Sequence, residues 1–187
     1  DAPSPLDPRI APPPVAVEHR FAEPLGSTLY ATKILTELAG EAVKELSERG
    51  KGGRQFRATF FRCDGLARSI EVETGHATRD TGLVMRLFAE RMDSLADPLD
   101  PGFGFDMIRL AVPRLDPLGA TQLKLEGGAV RAAAMDELVD RMTTRLGRGR
   151  VKKLVAADTH IPEQAQLALP AIDAPVALPW PVSEAGE

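Results

Sequence analysis

The chain has 187 residues, enough for one substantial domain, or one domain with an appendage. A hydrophobic fraction of 43%, a charged fraction of 27% and a net charge of −4 are ordinary for a soluble globular protein and argue against a dedicated nucleic-acid binder. The single cysteine, Cys63, excludes an internal disulfide and a cysteine-rich metal site, and no apolar run approaches the roughly 20 residues that span a bilayer.

Residues 1–14, ending in Ala11-Pro12-Pro13-Pro14, can bury little surface and read as a linker. They show no signal-peptide pattern and no initiator Met, so the chain reads as a piece of a longer protein. Val15 to Phe21 alternates apolar with polar residues, as a strand does. Gly26-Ser27-Thr28 offers a helix start. Leu35, Leu38, Ala42, Val43 and Leu46 then share one helical face, and Gly50 stops the run. Gln55 to Cys63 alternates again, with Phe56, Ala58 and Phe60 opposed to Arg57, Thr59 and Phe61. Asp64-Gly65 is a two-residue hairpin signal, returning through Ala67 to Thr74. Asp80 can cap a second helix that points Leu83, Leu87, Phe88, Met92 and Leu95 inward, ended by Pro98 and Pro101. Phe105 to Val112 gives a fourth strand with Ile108, Leu110 and Val112 inside.

This order implies an α+β fold, a four-stranded antiparallel sheet with two helices on one face, over residues 15–118. The other face is left open, with Arg57, Thr59, Phe61, Ser69, Glu71, Met107 and Arg109 on it; Arg62 and Arg68 fall in the core phase and belong at strand ends. A connector follows over 119–128. A C-terminal extension over 129–160 holds a helix from about Val130 to Leu146, with Met135, Leu138, Val139, Met142 and Leu146 on one face, and a short basic strand. The Pro-rich tail, 161–187, reads as irregular or disordered.

No catalytic constellation is visible: no HxxxH, no CxxC, no glycine-rich phosphate loop and no carboxylate pair placed for Mg²⁺. Cys63 ends an apolar strand and reads as a buried small hydrophobe. Asp158 and His160 read as turn residues, and Glu37, Glu41, Glu45 and Glu48 as a solvated helical face. Basic residues are more informative. From Arg49 to Arg79 seven face three acidic ones, and five with no acid lie from Arg145 to Lys153. A sheet face edged by arginines can follow a nucleic-acid backbone, or the same arginines can pair across strands with Glu71 and Glu73; both readings stay open.

Three stretches, VEHRFAEPLGS, FRATFFRCDGLARSIEVETGHATRD and above all LADPLDPGFGFDMIRL, with the ADTHIPE segment at 157–163, resemble the C-terminal part of the ImuB family. These are relatives of Y-family DNA polymerases that lack the catalytic acids and act in bacterial mutagenic DNA repair. The resemblance implies a little-finger-like domain whose sheet lies on primer-template DNA, with Arg54, Arg57, Arg62, Arg68 and Arg109 as contact residues. Residues 15–118 carry 14 basic and 16 acidic side chains, a departure from a basic DNA-binding domain.

The resemblance also implies a sliding-clamp peptide after the fourth strand. Gln122, Leu123, Lys124 and Leu125 fit it, with Glu126 where an aromatic is expected; Gln166-Leu167-Ala168-Leu169 is a second candidate. The further partners implied are an ImuA-type accessory protein and an error-prone C-family polymerase. No cofactor, membrane or small-molecule substrate is expected, and the setting is the bacterial cytoplasm at the nucleoid. The implied function is thus non-catalytic DNA-damage tolerance, in translesion synthesis and induced mutagenesis. A metabolite-binding or oligomerisation domain, or the little finger of an active Y-family polymerase, stand as alternatives.

Overall fold

In the computed structural model the described residues are 15–118, 127–157 and 159–174. Four strands, β1 (Val15–Leu25), β2 (Lys51–Arg62), β3 (Ala67–Thr78) and β4 (Phe105–Pro117), form one antiparallel sheet in the order β1-β4-β2-β3. Helices α1 (Thr28–Glu48) and α2 (Thr81–Asp93) cover one face, as the residue pattern implies. Ser27 caps α1 by accepting from the Tyr30 N–H, and Asp80 caps α2 by accepting from the Leu83 N–H at 3.0 Å. Gly50, at φ 63°, follows α1 in the left-handed conformation that glycine adopts without strain.

The core lies between the helices and the sheet. Phe56, Ala58 and Phe60 of β2, Ile70 and Val72 of β3, and Ile108, Leu110 and Val112 of β4 are buried in register against Leu35, Leu38, Ala42 and Leu46 of α1 and Val84, Leu87 and Phe88 of α2. Period-2 alternation puts these on one side of the pleat and, among the described residues, leaves the opposite side uncovered.

Three sequence expectations change. The β2–β3 connection is four residues, Cys63 to Leu66, rather than two, with the Arg62 N–H donating to the Leu66 carbonyl at 2.8 Å. Cys63 therefore sits in the turn and is exposed. The third correction concerns the stretch from Ile161. A 3-10 turn, Pro162–Gln164, leads into a strand β6 (Gln166–Pro170), which pairs antiparallel with β5 (Lys152–Ala156). Five residues carry too short a period-2 signal to stand out in a proline-rich stretch, so the strand was not read from the sequence. The second clamp-peptide candidate, residues 166–169, is the body of this strand.

Helix α3 (Gly127–Leu146) runs beside β3 and α2. The face it turns inward is the polar one. Asp140, Thr143 and Thr144 are buried, while Met135, Leu138, Met142 and Leu146 are 41–57% exposed. The cause is the sheet edge. β3 is an outer strand with unpaired donors, and Asp140 accepts from the Gly75 N–H at 2.7 Å, so a polar face must turn inward.

Candidate nucleic-acid interface

The uncovered sheet face is laid out by strand register. One cross-strand row reads Glu18, Arg109, Thr59, Ser69 from β1 to β3; the next reads Arg20, Met107, Phe61, Ala67; the row on the other side reads Ala16, Ala111, Arg57, Glu71. Three arginines from three strands thus stand on one surface. Alternation places them there, because each is an odd step from a buried neighbour.

Each of these arginines has an acidic neighbour. Arg109 donates from Nε and Nη2 to Glu18 Oε2 at 2.9 and 2.6 Å, and its guanidinium lies 5.5 Å from the Phe61 ring centre. Arg57 Nε donates to Glu71 Oε1 at 2.5 Å, and Gln55 Nε2 to Glu71 Oε2 at 3.0 Å. Arg20, 72% exposed, reaches Glu18 at 3.4 Å. The Arg109 hydrogen bond is the main reason the Glu18 carboxyl stays below its usual range, outweighing the opposing effect of burial; Arg20 lowers it further. Thr59 and Ser69 hydroxyls share a 2.9 Å hydrogen bond between them.

Of the five arginines the sequence singles out, Arg57 and Arg109 come together on this face. The other three do different work. Arg54 is largely enclosed, donating to the Thr74 carbonyl at 2.8 Å and pairing with Asp116 at 3.1 Å, which ties β2 to both its neighbours. Arg62 donates to Asp64 at 2.5 Å and lies 3.7 Å from Asp100, while Arg68 pairs with Asp97 and the Pro98 carbonyl, both at 2.9 Å. Together they bind the 97–104 loop to the β2–β3 turn. Gly102 is required there: at φ 54°, a Cβ would fall 2.1 Å from Arg62 Nη2. Sequence reasoning does not single out Arg20, although the alternation of Ala16, Glu18 and Arg20 against Val15, Val17 and His19 carries its phase. Gln122, Leu123, Leu125 and Glu126 lie outside the described residues.

Among the described residues there is no group of three or more His, Cys, Asp or Glu side chains that could hold a metal ion, and no helix long and apolar enough to cross a membrane. Nothing on the open face resembles a nucleophile with its base. What it offers is an amphoteric strip whose cations can turn toward an anion.

Residues 12–125 match the impB/mucB/samB family C-terminal domain. The chain belongs to this family. Two curated relatives are the protein ImuB of Caulobacter vibrioides, strains NA1000 / CB15N and ATCC 19089 / CIP 103742 / CB 15. Each is 29% identical over 164 residues, covering 86% of this chain and 34% of the relative. The chain therefore spans about a third of their length. A solved structure, a complex of the beta-clamp processivity factor and the little finger domain of PolIV, is similar with a TM-score of 0.42 and 21% identity, over 60% of this chain and 97% of that one. The ImuB-like C-terminal region read from the sequence is borne out by the family match and these relatives. The impB/mucB/samB domain ends at residue 125 in this match, just ahead of α3.

Proposed function

We propose that this impB/mucB/samB-type domain is a non-catalytic module of DNA damage tolerance that lays its open sheet face along the backbone of primer-template DNA. The observation that carries the reading is the trio Arg20, Arg57 and Arg109, drawn from three strands onto one uncovered surface. Their carboxylate partners do not oppose it. An exposed ion pair is worth about 0–1 kcal/mol, so a phosphate can replace Glu18 or Glu71 at small cost. Backbone contacts of this kind position a duplex without reading its sequence.

The clamp peptide belongs to the same proposal: Gln122 at a pocket rim, Leu123 and Leu125 in an apolar groove, with Glu126 weakening the anchor. Residues 166–169 are a poorer peptide, since docking them elsewhere would break their pairing with β5. Recruitment of an ImuA-type accessory protein and an error-prone C-family polymerase completes the reading.

The test is fluorescence anisotropy with a primer-template duplex over a range of salt. Replacing Arg20, Arg57 and Arg109 with Ala lowers affinity and reduces the slope of log K against log salt by about 1 for each phosphate that is no longer neutralised. Glu18→Gln with Glu71→Gln moves affinity the opposite way, upward. Unchanged slopes in both variants would remove the sheet face from DNA binding. Clamp binding that persists in Gln122→Ala with Leu125→Ala would remove the peptide.

A further inference from the structure

The basic run from Arg145 to Lys153, five cations with no acid among them, has no part in the sheet face. The structure divides it in two. Arg145 lies 3.6 Å from Glu90, and Arg148 is held by Glu73 at 2.6 Å and by Asp173. Arg150, Lys152 and Lys153 are exposed, and among the described residues no carboxylate forms an ion pair with any of them. Lys152 and Lys153 border an open pocket that also holds Asp136 and Asp140. Asp140 is buried there and accepts the Gly75 N–H at 2.7 Å, while Asp136 lies 3.4 Å from His76 Nδ1. The two lysines thus outnumber the one exposed acid of the pocket. On the sheet face, by contrast, Arg20, Arg57 and Arg109 each have a carboxylate beside them.

The position of the run is as telling as its charge. Glu73 shares the phase of Ser69 and Glu71 in β3, so it belongs to the open face. Its partner in register is Gln55, one row along from the pair Arg57 and Glu71. Arg148 Nη1 donates to Glu73 from beyond β3, the last strand of the sheet. Arg148 therefore carries the charged row past the sheet edge. The Arg150 N–H donates to the Gly147 carbonyl at 3.0 Å, a tight turn that brings Arg150 and then Lys152 and Lys153 in directly behind it.

We propose that the open-face strip continues across the β3 edge onto residues 148–153, where Arg150, Lys152 and Lys153 take the phosphates of the same nucleic acid that lies on the sheet. Arg148, tied to Glu73 and Asp173, positions this loop. The inference rests on the sheet-face reading and extends it. Continuity favours a nucleic acid over an acidic protein segment. One strand of a duplex carries a charge about every 3.4 Å and can follow a row that crosses strands about 4.8 Å apart and then leaves the sheet. Cations without a carboxylate partner give up only water and counterions to a phosphate, so this end of the strip should carry a large share of the salt dependence.

The test is anisotropy with a primer-template duplex across a salt range, on the 187-residue chain. Three proteins are compared: wild type, the loop variant Arg150→Gln with Lys152→Gln and Lys153→Gln, and the sheet variant with Arg20, Arg57 and Arg109 replaced by Ala. All three loop side chains are exposed, so circular dichroism should show the fold retained. The loop variant should lower affinity and reduce the slope of log K against log salt by up to about 3, in addition to the loss seen in the sheet variant. A slope that only the sheet variant changes overturns the extension and leaves the sheet reading standing. A slope that only the loop variant changes removes the sheet reading and, with it, the continuous strip. If the loop variant instead loses binding to a poly-glutamate probe while its DNA slope holds, the run serves an acidic protein segment and the proposal is overturned.

Discussion

The four-stranded body and the α3 region are held by different physics. In the body, β2, β3 and β4 contribute interdigitated apolar side chains to α1 and α2, and the core residues Leu35, Leu46, Ile108 and Leu110 are fully enclosed. Helix α3 is joined to the same body by polar ties. Asp140 takes the Gly75 N–H, Arg141 and Arg145 face Glu90 at 2.5 and 3.6 Å, Arg86 meets Glu137 at 3.1 Å, and His76 lies 3.4 Å from Asp136. Arg148 bridges Glu73 at 2.6 Å and Asp173. The difference teaches that one sheet can be closed in two ways. Its face is closed by apolar burial, which is cooperative and insensitive to salt. Its β3 edge is closed by donors and charges, which are sensitive to pH and ionic strength.

The strongest way to break the comparison is to damage the body. Phe60→Ala removes a ring that packs 5.5 Å from Phe105 in an enclosed site, and the expected loss is about 3–5 kcal/mol. Urea unfolding followed by far-UV circular dichroism would show it. If α3 were an equal partner in the core, Leu138→Ala would cost as much; it should instead cost well under about 1 kcal/mol, as surface substitutions do.

A second experiment isolates the edge. The Asp140 carboxyl ordinarily titrates at 3.8; burial pushes it up to about 6, against the Gly75 hydrogen bond and the nearby His76 and Arg54, with Asp136 adding to the rise. The folded chain thus binds this proton more tightly than the unfolded chain. Its contribution is fully favourable below about pH 4 and is lost as pH rises through about 6. Asp140→Asn keeps an oxygen for the Gly75 N–H but no charge, so it should match the wild type near pH 4 and exceed it above about pH 7, by up to about 3 kcal/mol. Urea midpoints at the two pH values check this. A gap independent of pH would mean that Asp140 is not held against its charge.

These two regions were also unequally legible. QFRATFFRC and FDMIRLAV carry the phase of β2 and β4, Ser27 and Asp80 announce their helices, and those features stand in the structure. Such signals are local. The roles of Arg54 and Arg68 are not local, because Asp116 and Asp97 lie 62 and 29 residues away in the chain, and Arg62 adds the distant Asp100 to its local partner Asp64. Helix α3 shows the limit most clearly. Periodicity identifies Met135, Leu138, Val139, Met142 and Leu146 as one face, but whether that face meets the body depends on what the neighbouring edge needs. Gly75 needs an acceptor, and Asp140 supplies it on the opposite side of the helix.

The smallest predicted effect is the most discriminating one for the comparison. Arg148→Ala removes two ion pairs, to Glu73 and Asp173, that join the end of α3 to β3 and to the turn after β6. Arg148 is 43% exposed, so solvent screens these pairs and the expected cost is under about 1 kcal/mol. The same weakening should be reproduced by salt, since at about 1 M the Debye length falls to about 3 Å. Hydrogen exchange can separate the regions within one sample. Raising salt should hasten exchange of the amides that α3 protects, the Gly75 N–H foremost, and leave those of Phe60 and Ile108 unchanged; in Arg148→Ala, part of that salt effect should already be present at low salt. Equal responses at Gly75 and Ile108 would mean that face and edge open together, and that the polar closure is as much a part of the core as the phenylalanines.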